Sequence, residues 1–401
     1  MSTPDAPLAG QAVVLAPAGE IPLSLYVHFP WCVRKCPYCD FNSHGLHGEV
    51  PEQDYVAALL RDLDFELQEA PETRPLQSIF FGGGTPSLFS ARAISAVLEG
   101  VAERIPLAAE AEVTLEANPG TADAANFRGY RKAGINRLSI GVQSFDDAQL
   151  KRLGRIHDAA QARRAVDMAR AGGFDNLNLD LMFALPQQDV AGAEADLRAA
   201  LACDPEHLSW YQLTIEPNTA FAKRPPRLPD NDAAWDITCA GQALLEQAGF
   251  HQYEVSAYAR GGRQCRHNLN YWHFGDYLAL GAGAHAKRSF VDAPGLAIRR
   301  SARFRSPREY LARAGTARVI EERHEVEQRD RPFEYTMNAL RLNAGFELVE
   351  FERRSGLPHT RLDPGFRQAR GLGLIEEQQG KVRASARGRA HLNTLLELFL
   401  P

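Results

Sequence analysis

The chain has 401 residues, of which 45% are hydrophobic and 24% charged, and its formal net charge is −5. This length accommodates one large α/β domain with a smaller appendage, and the slight negative charge argues against general binding to nucleic acid or an anionic membrane. Six cysteines do not make a disulfide framework in a chain of this length, and no apolar run approaches the ~20 residues that span a bilayer.

Residues 1–20 are predicted to form a flexible lead-in. The segment has no Lys or Arg and contains Pro4, Pro7 and Pro17, so the charged region of a secretory signal is missing. Cysteines that do not form a disulfide framework also suit a reducing compartment. We therefore expect a cytoplasmic protein.

The first predicted strand covers residues 23–29, where apolar residues alternate, and a loop with three cysteines follows it. Cys32, Cys36 and Cys39 have C-x3-C-x2-C spacing. Three thiolates make a soft metal site, but they supply one ligand fewer than a closed zinc site or a fully ligated four-iron cluster needs. Two interpretations remain open at this point. One is a [4Fe-4S] cluster with an open iron, and the other is zinc completed by His28, His44, His47 or Asp40.

Strands and helices then alternate regularly. Strands are predicted over 78–81, 112–116, 137–142, 176–182 and 208–213, with helices over 52–69, 91–104, 122–133, 147–153, 159–171 and 191–202. Six strand–helix units in a row predict a parallel sheet wrapped by helices, and the partly apolar strands suit a sheet buried on both faces. Because a closed TIM barrel requires eight units, the predicted fold class is α/β, an open partial (β/α)6 TIM-like barrel over residues 21–215.

The remaining chain predicts a barrel extension over 216–325 and a small C-terminal domain over 326–401. A proline-rich loop at 216–229 opens the extension, followed by a helix over 233–247 and a strand over 253–257. The C-terminal part predicts helices over 333–342, 348–354 and 388–399, and a hairpin of 374–375 with 381–383 around Gly380. This order indicates a winged-helix-like α+β cap. Its basic residues favour a solvated face over a nucleic-acid site.

Glycine and polar residues stand on or at the ends of the predicted strands, where parallel barrels carry their working residues. The segment Gly82-Gly83-Gly84-Thr85-Pro86 fits no dinucleotide or Walker pattern, but its bare backbone allows a ligand to approach closely. Any one of these residues, taken alone, is explained as a capping residue or a surface residue. Their joint placement around one rim predicts a polar ligand site that includes Tyr26, His28, Glu116, Gln143 and Asp180.

The cysteine loop, the GGGTP segment, Glu116, Gln143 and Arg155 resemble the radical S-adenosylmethionine (SAM) proteins of the oxygen-independent coproporphyrinogen III oxidase type, over essentially the whole chain. The resemblance implies a [4Fe-4S] cluster on the three cysteines, with SAM on the open iron. Carboxylates suit the ribose hydroxyls or the ammonium of SAM, and arginine suits its carboxylate. The SAM contacts that the resemblance implies are Tyr26, Tyr38, Gly83, Gly84, Thr85, Glu116, Gln143, Arg155, Asp180 and Thr214.

One departure separates two branches of this family. The oxidase pattern has a fourth cysteine two positions after the third, and here that position is Phe41. The heme-chaperone branch lacks this cysteine and carries His-Asn-x-x-Tyr-Trp, present here at 267–272. That likeness implies heme as a ligand, with His267 on the iron and Tyr271 and Trp272 against the porphyrin, and Cys265 is a second potential ligand. From the residues alone, a histidine that caps a turn beside a packed Tyr and Trp is the alternative.

The resemblance implies a heme chaperone without net catalytic turnover that delivers heme to apo-heme proteins, respiratory cytochromes and membrane-associated acceptors among them. The second hypothesis is an enzyme that forms a 5′-deoxyadenosyl radical and decarboxylates porphyrinogen propionates. A third, suggested only by the basic cap, is a radical SAM enzyme acting on RNA. Lys223, Arg224 and Arg227 are candidate contacts for heme propionates, against the alternative of an exposed, solvated loop.

Overall fold

A computed structural model of the chain describes residues 20–121, 123–292 and 295–401. The predicted lead-in at 1–20 lies outside these residues except for Glu20, as does Ala122, where the third helix was expected to begin. Across these three ranges, no helix is both long and apolar enough to cross a membrane.

The strands of the described residues are, in chain order, β1 (Leu23–Phe29), β2 (Trp31–Cys32), β3 (His44–Gly45), β4 (Leu76–Gly83), β5 (Leu107–Ala117), β6 (Arg137–Gln143), β7 (Leu177–Phe183), β8 (His207–Gln212), β9 (His251–Glu254), β10 (Ala257–Ala259), β11 (Asp276–Leu280), β12 (His285–Asp292), β13 (Gly295–Arg303), β14 (Ile320–Glu325), β15 (Phe346–Glu347), β16 (Ile375–Gln378) and β17 (Lys381–Ala384).

The α-helices are α1 (Glu52–Glu69), α2 (Ala91–Ala102), α3 (Ala124–Ala133), α4 (Asp147–Arg152), α5 (Ala159–Ala171), α6 (Val190–Leu201), α7 (Ala220–Lys223), α8 (Asn231–Gln247), α9 (Arg266–Trp272), α10 (Pro307–Arg313), α11 (Arg331–Ala339), α12 (Leu348–Ser355), α13 (Asp363–Gly371), α14 (Ala386–Ala390) and α15 (Leu392–Glu397). Short 3-10 turns lie at Pro86–Leu88, Pro119–Thr121, Ala317–Val319 and His359–Leu362.

A sheet of twelve strands organises the chain in the order β14-β13-β12-β11-β1-β4-β5-β6-β7-β8-β10-β9. Its seven central strands, from β11 to β8, are parallel, and the outer strands pair antiparallel. The six predicted strands are β1 and β4 to β8, side by side in sequence order. The sheet runs from β14 to β9 without closing, which confirms the open α/β class.

The central strands are buried on both faces, one lined by apolar residues and the other by polar residues such as Ser24, His28 and Asn178. Leu23, Leu25 and Val27 of β1 are fully buried, as are Leu177 and Leu179 of β7. The covering helices begin at polar caps, since the side chains of Ser90, Asp123, Asp146, Asp158 and Asp189 each accept a hydrogen bond from a first-turn amide.

Strands β11 to β14 have no counterpart in the sequence prediction. The alternation of apolar and polar residues is obscured in these strands because charged side chains are buried there as ion pairs. The Nζ atom of Lys287 lies 3.1 Å from a carboxylate oxygen of Asp276, and Nε of Arg303 lies 3.1 Å from Asp62. The strand expected over 253–257 is two strands, β9 and β10, and the proline-rich loop contains the short helix α7, capped by Thr219.

The C-terminal residues form a three-stranded sheet, β15-β17-β16, surrounded by α11 to α15. The predicted hairpin is β16 with β17. The long helix expected over 388–399 is interrupted at His391, which has φ −123° and ψ 45°, and α13 was not predicted. The core of this part also includes Phe274, Leu296 and Ile298, which precede residue 326.

Candidate cofactor site at the carboxyl end of the sheet

The cysteine loop between β1 and α1 is anchored to its surroundings by several hydrogen bonds. Nζ of Lys35 donates to the carbonyls of Phe41 at 3.1 Å and Ser43 at 3.2 Å. Nδ2 of Asn42 donates to the carbonyl of Ala282 at 2.8 Å, just beyond β11. These bonds fix the loop against the carboxyl end of the sheet.

The three thiols of this loop line one cavity, and each has a polar neighbour: Thr85 Oγ1 donates to Cys32 Sγ at 3.4 Å, an Arg155 Nη atom to Cys36 Sγ at 3.4 Å, and Ser43 Oγ lies 3.6 Å from Cys39 Sγ. Burial raises the pKa of Cys32 and of Cys39, so these thiols ionise on binding a metal rather than in its absence. As the described side chains stand, no three His, Cys, Asp or Glu residues are arranged to hold a metal ion. The fit to a soft metal therefore rests on the chemistry of the donor set.

The cavity has a volume of about 340 Å³, and two partly buried carboxyl groups face it from β5 and β7. Burial and the neighbouring Asp180 raise the pKa of Glu116 to about 8, and its hydrogen bond from the Gly83 amide, at 3.1 Å, opposes that rise. Burial likewise raises the pKa of Asp180, which accepts hydrogen bonds from Ser139 Oγ at 3.0 Å and Asn178 Nδ2 at 2.8 Å. The site thus presents polar groups that a ligand with hydroxyls or an ammonium can satisfy.

Arg155 and Gln143 face the same cavity. A terminal nitrogen of Arg155 donates to the carbonyl of Gly141 at 2.8 Å, while its Nε is buried without a partner in the described residues. Gln143 ends β6 with φ +70°, a left-handed conformation that is uncommon for a residue other than glycine. Its Oε1 accepts a hydrogen bond from the hydroxyl of Tyr211 at 2.7 Å. A guanidinium donor that lacks an acceptor is suited to a carboxylate ligand.

The glycine segment is shaped by close packing against the end of β1. A Cβ on Gly83, where φ is +116°, would lie 2.5 Å from the His28 ring, and one on Gly84 would lie 2.6 Å from the Trp31 carbonyl oxygen. The His28 ring accepts from the Tyr26 hydroxyl at 2.9 Å and contacts the Asn42 carbonyl through Nε2 at 2.8 Å. Burial lowers the pKa of His28 to about 4, so the ring is neutral and donates from Nε2.

The structure brings most of the predicted SAM contacts together. Of the predicted contacts, those that line the first cavity are Tyr38, Gly83, Gly84, Thr85, Glu116, Gln143, Arg155 and Asp180. Tyr26 lines a neighbouring cavity, whereas Thr214 is exposed and donates to Glu216 at 2.6 Å, away from both. Sequence reasoning missed two residues of the first cavity, Tyr211 and Ser139. They could have been found from their positions on strands next to predicted site residues.

A second cavity, of about 840 Å³, adjoins the first, and Phe41, Gly83 and Glu116 line both. Its walls are the cysteine loop, α9, the face of β11 to β14 and α11. Phe41 is 64% exposed at the junction of the two cavities. The other lining residues include Tyr271, Trp272, Tyr277, His285, Arg300, Arg305, Glu321, Glu322, Glu334 and Met337.

The His-Asn-x-x-Tyr-Trp segment forms α9, and only its aromatic end reaches the second cavity. His267 is 1% exposed and lines neither cavity. Its Nδ1 lies 3.0 Å from Ser78 Oγ and its Nε2 lies 2.8 Å from the Tyr271 hydroxyl, so iron ligation would require the loss of one hydrogen bond. Burial lowers the pKa of His267 to about 3. Tyr271 and Trp272 line the cavity, and Cys265 is buried away from it.

The proline-rich loop contacts the cysteine loop through its backbone, where the Phe221 amide donates to the Pro37 carbonyl at 2.9 Å. Lys223, Arg224 and Arg227 line neither cavity, and their assignment to heme propionates stays a prediction. A third cavity, about 960 Å³, is an open groove between the cysteine loop and α10. It contains none of the thiols or strand-end carboxyl groups, so we place the candidate site in the two smaller cavities.

Comparison of the chain with known proteins relates it to an established superfamily. The radical SAM superfamily profile matches residues 26–200, and the profile of the HemN C-terminal domain matches residues 326–391. The chain is 52% identical over 379 residues to the heme chaperone HemW of Escherichia coli (strain K12), which covers 94% of this chain and 98% of that protein. It is 50% identical over 382 residues to the HemW of Haemophilus influenzae, with the same coverage.

The fold also matches a solved structure. Coproporphyrinogen III oxidase (HemN) from Escherichia coli aligns with a TM-score of 0.80 at 22% identity, over 95% of this chain and 90% of that one. At this identity the likeness concerns the fold alone.

Proposed function

We propose that this chain, which belongs to the HemW family of radical SAM proteins, binds heme and transfers it to apo-heme proteins, respiratory cytochromes first among them. The name heme chaperone, carried by relatives 52% and 50% identical over almost their whole length, supports the heme part of this proposal. We place the protein in the cytoplasm, where reducing conditions protect an iron–sulfur cluster. It turns over no substrate in this role.

The observation that carries the proposal is the second cavity. Its volume of about 840 Å³ is within the range of cofactor sites, and it joins flat aromatic walls to arginine side chains. Heme has the complementary chemistry, with two flat apolar faces and two propionate groups. The shared lining residues Phe41, Gly83 and Glu116 bring this cavity to the edge of the cysteine cavity.

Phe41 supports a chaperone over an oxidase. It occupies the position at which the oxidase pattern has a fourth cysteine, and it lies between the two cavities with 64% of its surface exposed. A phenyl ring offers a porphyrin an apolar contact but no thiol for metal or redox chemistry. A phenylalanine at this position therefore favours porphyrin binding over porphyrinogen oxidation.

We also propose that Cys32, Cys36 and Cys39 hold a [4Fe-4S] cluster and that SAM occupies the first cavity. Held by these three thiolates, a cluster would supply an electron to SAM bound beside it. The carboxyl groups of Glu116 and Asp180 would accept hydrogen bonds from SAM, and Arg155 would pair with its carboxylate. Thr85 and Ser43 would continue to lie beside the thiolates of Cys32 and Cys39.

The test is a heme titration of the anaerobically reconstituted protein, followed by mixing with an apo-heme acceptor. We expect a saturable Soret band at one heme per chain and growth of the acceptor's own spectrum. With coproporphyrinogen III, SAM and a reductant, we expect no protoporphyrinogen. Lack of saturable heme binding would overturn the proposal, and protoporphyrinogen formation would make the chain an oxidase.

A further inference from the structure

One imidazole in the second cavity is available for a ligand. His285 begins β12, lines this cavity and is exposed. No group in the described ranges makes a hydrogen bond with its ring. The two other histidines near the site differ, since His28 and His267 each have both ring nitrogens within 3.0 Å of a polar partner.

The sheet register explains why His285 has open space around it. His285 pairs with Ala302 of β13, and Ala302 pairs with Glu322 of β14. His285 and Glu322 therefore flank a residue with a small side chain, with their backbones about two strand spacings, ~10 Å, apart. All three residues line the second cavity.

The two arginines of the cavity are not equivalent. Arg300 is already engaged, since its guanidinium forms an ion pair with Glu334 and donates to the Tyr277 hydroxyl at 3.0 Å. Arg305 has no side-chain hydrogen bond in the described part of the chain. Its carbonyl accepts from Asn42 at 2.9 Å, which fixes its backbone at the cavity wall. Arg305 is thus the cation free to meet an anionic group.

We propose that the second cavity binds heme with His285 as the axial iron ligand and with Arg305 paired to a propionate. The inference rests on the proposed heme function and assigns its residues. His285 can bind iron without losing a hydrogen bond, whereas His267 must leave Ser78 or Tyr271 and expose a buried ring. Tyr271, Trp272 and Phe41 then provide apolar contact to the porphyrin faces and edges.

The ligand is tested by spectroscopy of the full-length protein loaded with ferric heme. We expect His285→Ala to shift the Soret maximum and to weaken heme binding at least tenfold, and added imidazole to restore the wild-type spectrum. Rescue by a free ligand is not expected of a residue with a merely structural role. His251→Ala, an exposed histidine on β9 away from both cavities, should leave the spectrum and the affinity unchanged.

The propionate contact is tested by comparing heme with heme dimethyl ester, which lacks the two charges. Arg305→Ala should weaken heme binding about two- to fivefold, as expected of an exposed ion pair, without a spectral shift. It should leave binding of the ester unchanged. Arg308→Ala removes the same charge three residues away on α10, facing the open groove, and should leave both affinities unchanged.

The outcomes separate this inference from the proposed function. If the wild-type protein binds no heme, the proposed function fails. If it binds heme, His285→Ala keeps the wild-type spectrum and His267→Ala changes it, the inference is overturned and the family motif supplies the ligand. Equal loss of heme and ester binding in Arg305→Ala would overturn the propionate contact alone.

Discussion

At the scale of single residues, the first cavity contains a carboxyl group whose protonation is coupled to folding. Burial and Asp180 raise the pKa of Glu116 from 4.5 to about 8. The folded chain therefore keeps a proton that the unfolded chain releases between these two values. The resulting stability is fully present below pH 4.5 and is lost as the pH rises through 8.

Glu116→Gln should flatten this pH dependence, because an amide does not ionise. We expect the cluster-free variant to be more stable than the wild type above pH 8, by an amount on the order of a few kcal/mol. Urea denaturation between about pH 5 and pH 9 measures the difference. Glu103→Gln, at an exposed position, is the matched control and should follow the wild type. Parallel curves for Glu116→Gln and the wild type would show that Glu116 is ionised in the folded state.

Arg155 is the residue whose removal should affect SAM most directly. One nitrogen donates to the Gly141 carbonyl, and Nε has no hydrogen-bond partner among the described residues, so the side chain is held in place and retains a free donor. Loss of a charge-assisted hydrogen bond costs about 1.5–3 kcal/mol, so Arg155→Ala should raise the Kd for SAM about 10- to 150-fold. Isothermal titration of the reconstituted protein measures it, with iron content assayed because Arg155 also contacts Cys36. Arg152→Ala, which contacts Pro186 outside the cavity, should bind SAM normally, and equal affinities for both variants would remove Arg155 from the site.

At the scale of elements, the turn after β4 positions the first cavity through glycine. At Gly83, φ is +116° and a Cβ would lie 2.5 Å from the His28 ring, whereas at Gly249 φ is +78° and no atom lies within 4 Å of a Cβ. Comparing an alanine substitution at Gly83 with one at Gly249 separates the cost of backbone strain from the cost of steric overlap. Gly249→Ala should cost about 1–2 kcal/mol from the left-handed conformation, and Gly83→Ala a further 1–3 kcal/mol from overpacking. Chemical denaturation measures both, and equal losses would mean that the His28 ring moves aside freely.

The elements also show which parts of the fold the sequence could reveal. The strands β1, β6 and β7 carry apolar residues at alternate positions, and this pattern alone predicts them. The hairpin of β12 and β13 escaped prediction because Lys287 and Arg303 are buried there, and only the structure shows the carboxylates that pair with them. The same limit applies to the site. Strand-end residues such as Glu116 stand out in a parallel barrel, whereas His285 lies on a strand that sequence reasoning did not find.

At the scale of the whole molecule, the second cavity exists because the barrel extension and the C-terminal part share one core. Phe274, Leu296 and Ile298 of the extension pack with residues of the cap, and the ion pair of Arg300 with Glu334 joins β13 to α11. The cysteine loop contributes only Phe41 and Asn42 to the lining. The two cavities therefore share Phe41, Gly83 and Glu116, while most residues of the second come from the barrel extension and the C-terminal part.

This division predicts that the cluster and the heme can be lost separately. Replacing Cys32, Cys36 and Cys39 together with Ala should abolish the roughly four irons and four sulfides expected per reconstituted chain. Heme affinity should stay within about twofold of the wild type, since none of the three cysteines lines the second cavity.

Iron and sulfide assays and a Soret titration of the same sample test both statements. Replacing Cys203 and Cys239, which lie outside the loop, should leave both quantities unchanged. Stoichiometric zinc without sulfide in the wild type would contradict the cluster. Loss of heme binding in the triple variant would show that the two cavities act as one site. The separation is expected because Asn42 fixes the cavity wall through the carbonyls of Ala282 and Arg305, bonds that do not depend on the thiols.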